Sequence, residues 1–278
     1  MEKSLFTCPI CGGELEKSGG VCRCGKGHSY DIASEGYLYL LPPNKKHSKL
    51  PGDDKQMVAA RREFLNSGLY GIFSDALGSL VREAVQGRRE PFVLDAGCGE
   101  GYYTGRMAEE LRKDASCRLA GFDISKFAVK AAAKRYAAIE FSVASAFGIP
   151  VADASVDCLT DIFAPIVPGE FARVVKPGGV MILAVPGKRH LYGLKEILYD
   201  EPYENEEKDI EYEGFTFLSR TAVPGEITVQ GDGMIRNLFA MTPYFWKTPE
   251  DGVRRLERVE TLKTEIEFDF LCYRRDPL

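Results

Sequence analysis

The sequence lacks any apolar run near the roughly 20 residues that a helix needs to span a membrane. It also lacks an apolar segment after Met1-Glu2-Lys3, which a secretory signal would require. We therefore expect a cytoplasmic protein with no membrane partner, whose eight cysteines are thiols or metal ligands and not a disulfide framework. At 278 residues, with 45% hydrophobic and 28% charged residues, the chain is long enough for two folding units.

The chain also lacks an overall excess of positive charge, on which affinity for nucleic acid largely depends. The formal net charge is −5, but residues 200–213 alone hold eight acidic residues and one lysine, so the rest of the chain is net positive. We expect that acidic segment to be an exposed insertion. Short basic clusters elsewhere are as typical of a solvated surface as of a nucleic-acid contact. They are Lys45, Lys46 and Lys49, then Arg61 and Arg62, then Lys188 and Arg189.

Four residues near the start of the chain have the spacing C-x2-C-x12-C-x3-H, which is typical of a zinc site. Cys8 and Cys11 can bind one ion from a single tight turn, and Cys24 with His28 can complete a tetrahedron. Cys22 is an alternative to Cys24, although the three residues between Cys24 and His28 suit a compact half-site. Three thiolates and one imidazole leave no open position, so we predict a structural Zn²⁺.

Three segments are predicted along the chain. Residues 1–43 form a small zinc-binding lobe, residues 44–90 a basic linker with helices, and residues 91–278 a larger domain. In the last segment strands and helices alternate, which predicts a doubly wound, mostly parallel α/β sheet. The predicted strands are 91–96, 118–123, 139–143, 156–162, 179–185, 226–230 and 262–273, and the predicted helices are 102–113, 125–136, 168–175 and 249–258.

The segment 93–101, V-L-D-A-G-C-G-E-G, predicts a strand that turns into a helix through closely spaced glycines. The missing side chains let a ligand lie against the backbone, and the helix N-terminus attracts an anionic group. A glycine loop by itself also fits dinucleotide-binding enzymes.

Three further features favour S-adenosylmethionine over a dinucleotide. Asp123 ends the next strand and can accept both ribose hydroxyls, Ser145-Ala146 follows the third strand beside an adenine edge, and Lys176-Pro177-Gly178-Gly179 is a turn typical of methyltransferases. The predicted cofactor contacts are Asp95, Gly97, Gly99, Gly101, Asp123, Ser145 and Ala146.

Longer motifs extend along nearly the whole chain. They include D-I-A-S-E-G-Y at 31–37, P-G-D at 51–53, A-R-R-E-F-L at 60–65, P-G-K-R-H-L at 186–191 and M-T-P-Y-F-W at 241–246. Together with the zinc spacing and the glycine loop, they make the chain resemble the 23S ribosomal RNA (guanine-N1)-methyltransferases. The resemblance implies the Rossmann-like fold of S-adenosylmethionine-dependent methyltransferases, with a doubly wound, mostly parallel seven-stranded sheet and a small N-terminal zinc-binding lobe.

The same resemblance implies an activity, partners and further site residues. The activity is methyl transfer from S-adenosylmethionine to N1 of a guanine in a hairpin loop of 23S rRNA, by a homodimeric enzyme. The implied cofactor contacts are Tyr70, Tyr103, Thr104 and His190. The zinc-binding lobe would recognise the RNA, since RNA loops are recognised through splayed bases and shape.

Guanine N1 carries a proton, which must leave, or the neighbouring carbonyl must gain negative charge, before N1 attacks a methyl group. Asp161 ends a predicted central strand and is the candidate catalytic residue, either as the base or to orient the guanine edge, although a carboxylate there can equally cap a helix. Phe163 is a candidate to stack on a flipped base or, equally, a core residue. An N-P-P-Y loop, typical of exocyclic amine methylation, is absent from D-I-F-A-P at 161–165.

Two other functions fit part of the sequence. A methyltransferase for a small molecule such as a quinone shares Asp123 and the K-P-G-G turn but needs no zinc-binding lobe. A non-catalytic zinc module that binds S-adenosylmethionine as a sensor fits the same motifs, and turnover on ribosomal RNA distinguishes it from an enzyme.

Overall fold

The fold is described from a computed structural model, which covers residues 2–43, 51–112, 117–207 and 210–277. The predicted basic cluster of Lys45, Lys46 and Lys49 lies outside these described residues. No helix within them is both long enough and apolar enough to cross a bilayer.

The N-terminal lobe is a four-stranded antiparallel sheet. Its strands, in spatial and chain order, are β1 (Glu2–Thr7), β2 (Glu14–Ser18), β3 (Val21–Cys24) and β4 (Ser29–Asp31). Gly19 and Gly20 make the turn between β2 and β3 with φ of 58° and 83°, which glycine adopts without strain. Phe6 and Leu15 are among the few apolar side chains that fill its interior, so burial alone stabilises this lobe little.

Two helices, α1 (Lys55–Asn66) and α2 (Gly71–Val85), follow the linker. Asp54 caps α1, because its side chain accepts hydrogen bonds from the backbone N–H groups of Gln56 and Met57. α2 packs against the main sheet, whereas α1 packs on other helices beside it.

The main sheet has eight strands flanked by helices. They are β5 (Leu38–Tyr39), β6 (Phe92–Ala96), β7 (Arg118–Asp123), β8 (Glu140–Val143), β9 (Val156–Ile162), β10 (Val175–Pro186), β11 (Phe215–Gln230) and β12 (Thr261–Arg275). Their spatial order is β11-β12-β10-β9-β6-β7-β8-β5. The six strands from β5 to β10 run parallel to one another, whereas β12 pairs antiparallel with both β10 and β11.

The strand order reverses between β6 and β9, because the chain continues from β6 to β7 on one side and reaches β9 on the other. Ligands of doubly wound sheets bind at such a reversal, at the carboxyl ends of the strands. The remaining helices are α3 (Tyr102–Leu111), α4 (Lys126–Arg135), α5 (Pro168–Val174), α6 (Tyr192–Leu198), α7 (Asp232–Ala240) and α8 (Glu250–Leu256), with a 3-10 turn at Pro243–Trp246.

The doubly wound fold is confirmed, but the main sheet has eight strands and not the expected seven. The additional strand is β5, which leaves the N-terminal lobe and pairs with Ser142 and Val143 of β8. β11 begins at Phe215, about ten residues before the predicted strand. Its early half is exposed, and Pro224-Gly225 interrupts its pattern, which only an edge strand tolerates.

The N-terminal lobe is attached to the main domain through Glu140 at the start of β8. Its carboxylate accepts hydrogen bonds from Ser4 Oγ (2.7 Å) and from the Leu5 N–H, and it forms an ion pair with Lys17 at 3.0 Å. A backbone hydrogen bond from Thr7 N to Pro150 O (2.7 Å) adds a second attachment. The lobe therefore has a defined orientation relative to the large sheet.

The acidic residues of this segment that the structure describes are exposed, as expected, and the segment packs on the turn before α6. Glu204 forms ion pairs with Lys188 and Arg189, so this predicted basic cluster is partly neutralised within the protein. Lys195 is fully buried and donates hydrogen bonds to Tyr203 O and Asn205 Oδ1. These contacts hold the described part of the segment against the domain.

Candidate active site and metal centre

A cavity of about 760 Å³ lies at the carboxyl ends of β6, β7 and β9, beside the strand reversal. α1 contributes Met57, Arg61 and Leu65 to its lining. Gly52 and Asp53 cover another part, where Ser125 Oγ donates a 2.6 Å hydrogen bond to Asp53 O. The cavity is therefore formed by the sheet edge and by the segment before it.

The glycine loop forms one wall of this cavity at positions where a side chain would not fit. Gly97 has φ of 75°, and a Cβ there would collide with Ala164 Cβ. Gly101 has φ of 82°, and its Cβ would lie 2.9 Å from Ala132 Cβ. The spacing of the glycines thus reflects both left-handed backbone and close packing.

Asp95 and Asp123 are held by hydrogen bonds on either side of the loop. Asp95 is buried and accepts from Thr104 Oγ1 (2.6 Å) and Thr160 Oγ1 (2.8 Å), while burial raises the pKa of its carboxyl to about 6. Asp123 accepts from the backbone N–H of Gly99 (3.0 Å) and of Ser125 (2.7 Å), and burial raises the pKa of this carboxyl too. Both acids line the cavity with fixed orientations.

Asp161 lies at the carboxyl end of β9 and also lines the cavity. It is 2% exposed; one oxygen accepts a 3.2 Å hydrogen bond from the Ala164 N–H, and Oδ2 has no partner among the described residues. Burial raises the pKa of this carboxyl to about 7. A buried acid with one free oxygen and a pKa near neutrality is suited to take up or release a proton.

An aromatic wall faces these acids. Tyr70 is buried between Phe64 and Phe268, with ring centroids 5.1 and 5.0 Å away, and its hydroxyl has no partner among the described residues. Burial lowers the pKa of the His190 imidazole to about 3, so the ring is neutral near pH 7. Its Nδ1 accepts from the Glu267 N–H at 3.3 Å, which assigns the remaining proton to Nε2.

The cavity brings together most of the predicted site residues, from five separate parts of the chain. Those that line it are Tyr70, Asp95, Gly97, Gly99, Tyr103, Asp123, Asp161 and His190. Four predicted residues do not line it, namely Gly101, Thr104, Ser145 and Ala146. The Thr104 hydroxyl instead donates a hydrogen bond to Asp95. Ser145 borders a second cavity of about 610 Å³ beside the N-terminal lobe. Direct cofactor contact by these four residues stays a prediction.

Several cavity residues were not singled out from the sequence as site residues. They are Asp53, Met57, Arg61, Glu100, Met241, Pro243, Tyr244 and Trp246. Two of them form an ion pair, Arg61 with Asp53. Glu100 is buried, and neither of its carboxylate oxygens has a partner among the described residues. The motifs at 51–53, 60–65 and 241–246 contained most of this set, but sequence separation hid their common location.

The ligand atoms of Cys8, Cys11, Cys24 and His28 all lie within 4.8 Å of one another in the N-terminal lobe. The sulfurs of Cys11 and Cys24 are 3.7 Å apart, and His28 Nδ1 is 3.3 Å from Cys24 Sγ. Zinc with Zn–S bonds of about 2.3 Å holds two tetrahedral sulfurs about 3.8 Å apart, so this donor set fits the ion. Cys22 is buried but is not part of the cluster.

Comparison with known proteins supports the zinc-binding assignment of the N-terminal lobe and the methyltransferase assignment of the main domain. A zinc-ribbon family model described as "RlmA, N-terminal" matches residues 6–49, and one described as "Methyltransferase domain" matches residues 90–231. A 23S rRNA (guanine(748)-N(1))-methyltransferase of Streptomyces fradiae is 34% identical over 69% of this chain and 66% of its own length.

Two relatives carry provisional names as 23S rRNA (guanine-N1)-methyltransferases. That of Micromonospora griseorubida is 35% identical over 69% of this chain and 68% of its own length. YxjB of Bacillus subtilis is 26% identical over 96% of both chains. This chain belongs to the 23S rRNA (guanine-N1)-methyltransferase family. Its zinc-binding lobe and its methyltransferase domain are thus both features of the family.

The residues of this guanine-N1-methyltransferase family member fit S-adenosylmethionine, the cofactor of its domain. Gly97 and Gly99 line the cavity without side chains, and Asp123 offers a carboxylate at the end of β7. The unpartnered Tyr70 hydroxyl is a buried donor that a ligand carboxylate would satisfy, and a buried polar group without a partner costs about 1–3 kcal/mol.

Proposed function

We propose that this enzyme methylates N1 of a guanine in a hairpin loop of 23S rRNA, in the cytoplasm and as a homodimer. The observation that carries the proposal is Asp161, a buried carboxyl in the cavity with one oxygen that has no partner in the described part of the chain, in a protein that also has a zinc-binding lobe. The S. fradiae relative is named for this reaction.

The proposed cofactor contacts follow from the cavity lining. Asp123 accepts the ribose hydroxyls, the backbone at Gly97 and Gly99 lies along the methionine part, and Tyr70 and His190 each donate one hydrogen bond. A neutral His190 supports this assignment because it presents Nε2–H without adding positive charge beside a sulfonium group. When bound, the cofactor supplies an electrophilic methyl group.

Asp161 is the proposed base. Its Oδ2 accepts the N1 proton of guanine, and the ring nitrogen thereby gains the electron density it needs to attack. Positioning of the two reactants contributes about 7–11 kcal/mol in such reactions, and a base adds about 10²- to 10⁴-fold. The Ala164 N–H, bonded to the other oxygen, keeps the carboxyl oriented.

The proposed RNA contacts begin at the zinc-binding lobe of residues 1–43, with residues 44–90 as linker and helices and 91–278 as the methyltransferase domain. Glu140 fixes the lobe beside β8, so a hairpin held there has a set distance from the cavity. Arg62 and Lys134 are exposed and have no ion pair among the described residues, which leaves them available to phosphates.

The deciding experiment is methyl transfer to a series of 23S rRNA hairpins by the purified protein, followed by mass mapping of the product nucleotides. We expect N1-methylguanine at one loop position. No product should form when the guanosine at that position is replaced by adenosine. Quinone and lipid substrates form the comparison set. Methylation of a small molecule with none on any hairpin would overturn the RNA proposal, and cofactor binding without turnover would identify a sensor.

A further inference from the structure

Trp246 has an unusual position for a large aromatic side chain. It lines the cavity, yet it is 69% exposed, and it is the single tryptophan of the sequence. A well-exposed indole is a feature of binding surfaces more often than of folded cores. Its exposure places it at the mouth of the cavity rather than in the buried interior around Asp95 and Asp161.

The segment that carries Trp246 is firmly supported. Thr242 Oγ1 donates a 2.8 Å hydrogen bond to Phe239 O, and the Lys247 N–H donates to Tyr244 O at 2.9 Å. Phe245 stands edge-on to the indole, with ring centroids 5.0 Å apart at 87°. The indole is therefore presented on a short, braced turn, which costs little ordering entropy when a ligand stacks on it.

A second exposed aromatic ring lines the same cavity. Phe163 is 48% exposed and has φ of 55°, a left-handed conformation that is strained for a residue with a side chain. Its ring stacks on His190 and on Phe73, at centroid distances of 6.3 and 6.0 Å. Such strain is retained where surrounding contacts enforce it, and it is concentrated at functional sites.

These rings differ from that of Tyr70, which is buried, and from that of Tyr103, which is half-buried. A cofactor seated under α1 would occupy the inner part of the cavity, whereas Trp246 faces solvent. An unpaired nucleobase has a flat face of matching size and chemistry, and stacking on an aromatic ring is a common means of holding single-stranded RNA.

We propose that Trp246 is a base-stacking residue for the RNA substrate, which holds one unpaired loop base at the cavity mouth while the target guanine enters beside Phe163. This inference rests on the proposed function. It assigns Trp246 to RNA positioning, not to cofactor binding or to proton transfer.

Intrinsic fluorescence gives a direct test, because no other tryptophan contributes to the emission. Titration of the zinc-loaded protein with the substrate hairpin should quench Trp246 emission. Titration with S-adenosylhomocysteine alone should leave most of the emission intensity unchanged. Replacing each loop base in turn by an abasic site should identify one position other than the target at which quenching is lost.

Kinetics of three variants complete the test. Trp246→Ala should raise KM for the hairpin about 5- to 100-fold, the range of one lost base stack, and leave KM for S-adenosylmethionine within about twofold. Trp246→Phe should restore part of the loss. Phe217→Ala is the matched control, since Phe217 is 50% exposed on β11 and does not line the cavity.

The abasic hairpin provides a coupling measurement. Removal of the stacked base should raise the KM of the wild-type enzyme for the hairpin but have little further effect on the KM of Trp246→Ala. Equal losses in both proteins would overturn the inference, as would an unchanged KM for the hairpin in Trp246→Ala. A change of emission on dilution of the RNA-free protein would instead assign Trp246 to contact between two copies of the chain. If wild type methylates no RNA, the proposed function itself fails, and that result comes from the product assay and not from Trp246.

Discussion

Two acids of the same type lie in adjacent strands of the site, and their surroundings give them different properties. Asp95 on β6 accepts hydrogen bonds from two threonine hydroxyls, whereas Asp161 on β9 accepts one bond from backbone, and its Oδ2 has no partner within residues 2–43, 51–112, 117–207 and 210–277. Burial raises the pKa of Asp95 to about 6 and that of Asp161 to about 7. Asp161 is therefore the acid of this pair that both has an oxygen without a partner among the described residues and titrates near neutrality.

The pH dependence of methylation tests this assignment. Asp161 accepts a proton only as a carboxylate, so the single-turnover rate should fall about tenfold per unit as the pH drops below about 7 and level off above it. Asp161→Asn should lower the rate about 10²- to 10⁴-fold and remove this limb of the profile. Calorimetric titration with S-adenosylhomocysteine controls for a damaged cofactor site. A variant with a near-normal rate and an unchanged profile would exclude Asp161 as the base.

At the scale of single elements, the N-terminal lobe depends on its metal site. Its four strands have three to six residues each and bury few large apolar side chains, which is too little for independent stability. The Tyr30 hydroxyl lies 3.1 Å from Cys8 Sγ and can donate to a thiolate, so β4 supports the metal ligands. Zinc binding and folding of the lobe are therefore coupled.

Removal of one metal ligand should separate the two halves of the protein. Cys11→Ser should lose most of its bound zinc, measured by mass spectrometry of metal content, and its β1–β4 amides should exchange at least about tenfold faster. Binding of S-adenosylhomocysteine should persist, because that cavity lies in the other domain. Cys22→Ala is the control, since Cys22 is a buried cysteine of the same lobe that lies outside the cluster. Loss of zinc in the control as well would contradict this ligand set.

At the scale of the whole molecule, the orientation of the zinc-binding lobe is the feature that links RNA contact to catalysis. Glu140 contacts Ser4, Leu5 and Lys17 of the lobe. β5, which follows the lobe along the chain, pairs with β8 at the edge of the main sheet. A hairpin bound to a loosely attached lobe would reach the cavity in many orientations. The cost of ordering it would then appear in the affinity for RNA.

Glu140→Ala tests this attachment. The change removes one ion pair and two hydrogen bonds to a charged group. A hydrogen bond of this kind contributes at most about 1.5–3 kcal/mol. We expect KM for the hairpin to rise up to about tenfold, with little change in KM for S-adenosylmethionine. Glu14→Ala is the control, because Glu14 is an exposed acid of the same lobe whose partner is Lys3. Identical KM values for the two variants would show that the lobe acts independently of its docking.

The sequence by itself determined the features whose residues are close together along the chain. The zinc ligands lie within 21 positions, and the glycine loop within nine, so spacing and residue type were enough to predict them. Asp123 was predictable because it ends a buried strand whose carboxyl end must lie beside the loop.

The tertiary structure decided the features that depend on distant segments. β5 could not be assigned to the main sheet from a two-residue strand, because pairing with β8 depends on long-range contacts and not on local propensity. The free oxygen of Asp161 and the exposure of Trp246 are likewise set by which neighbours are present. Hydrogen-bond partners and burial are properties of the folded chain, so no local pattern contains them.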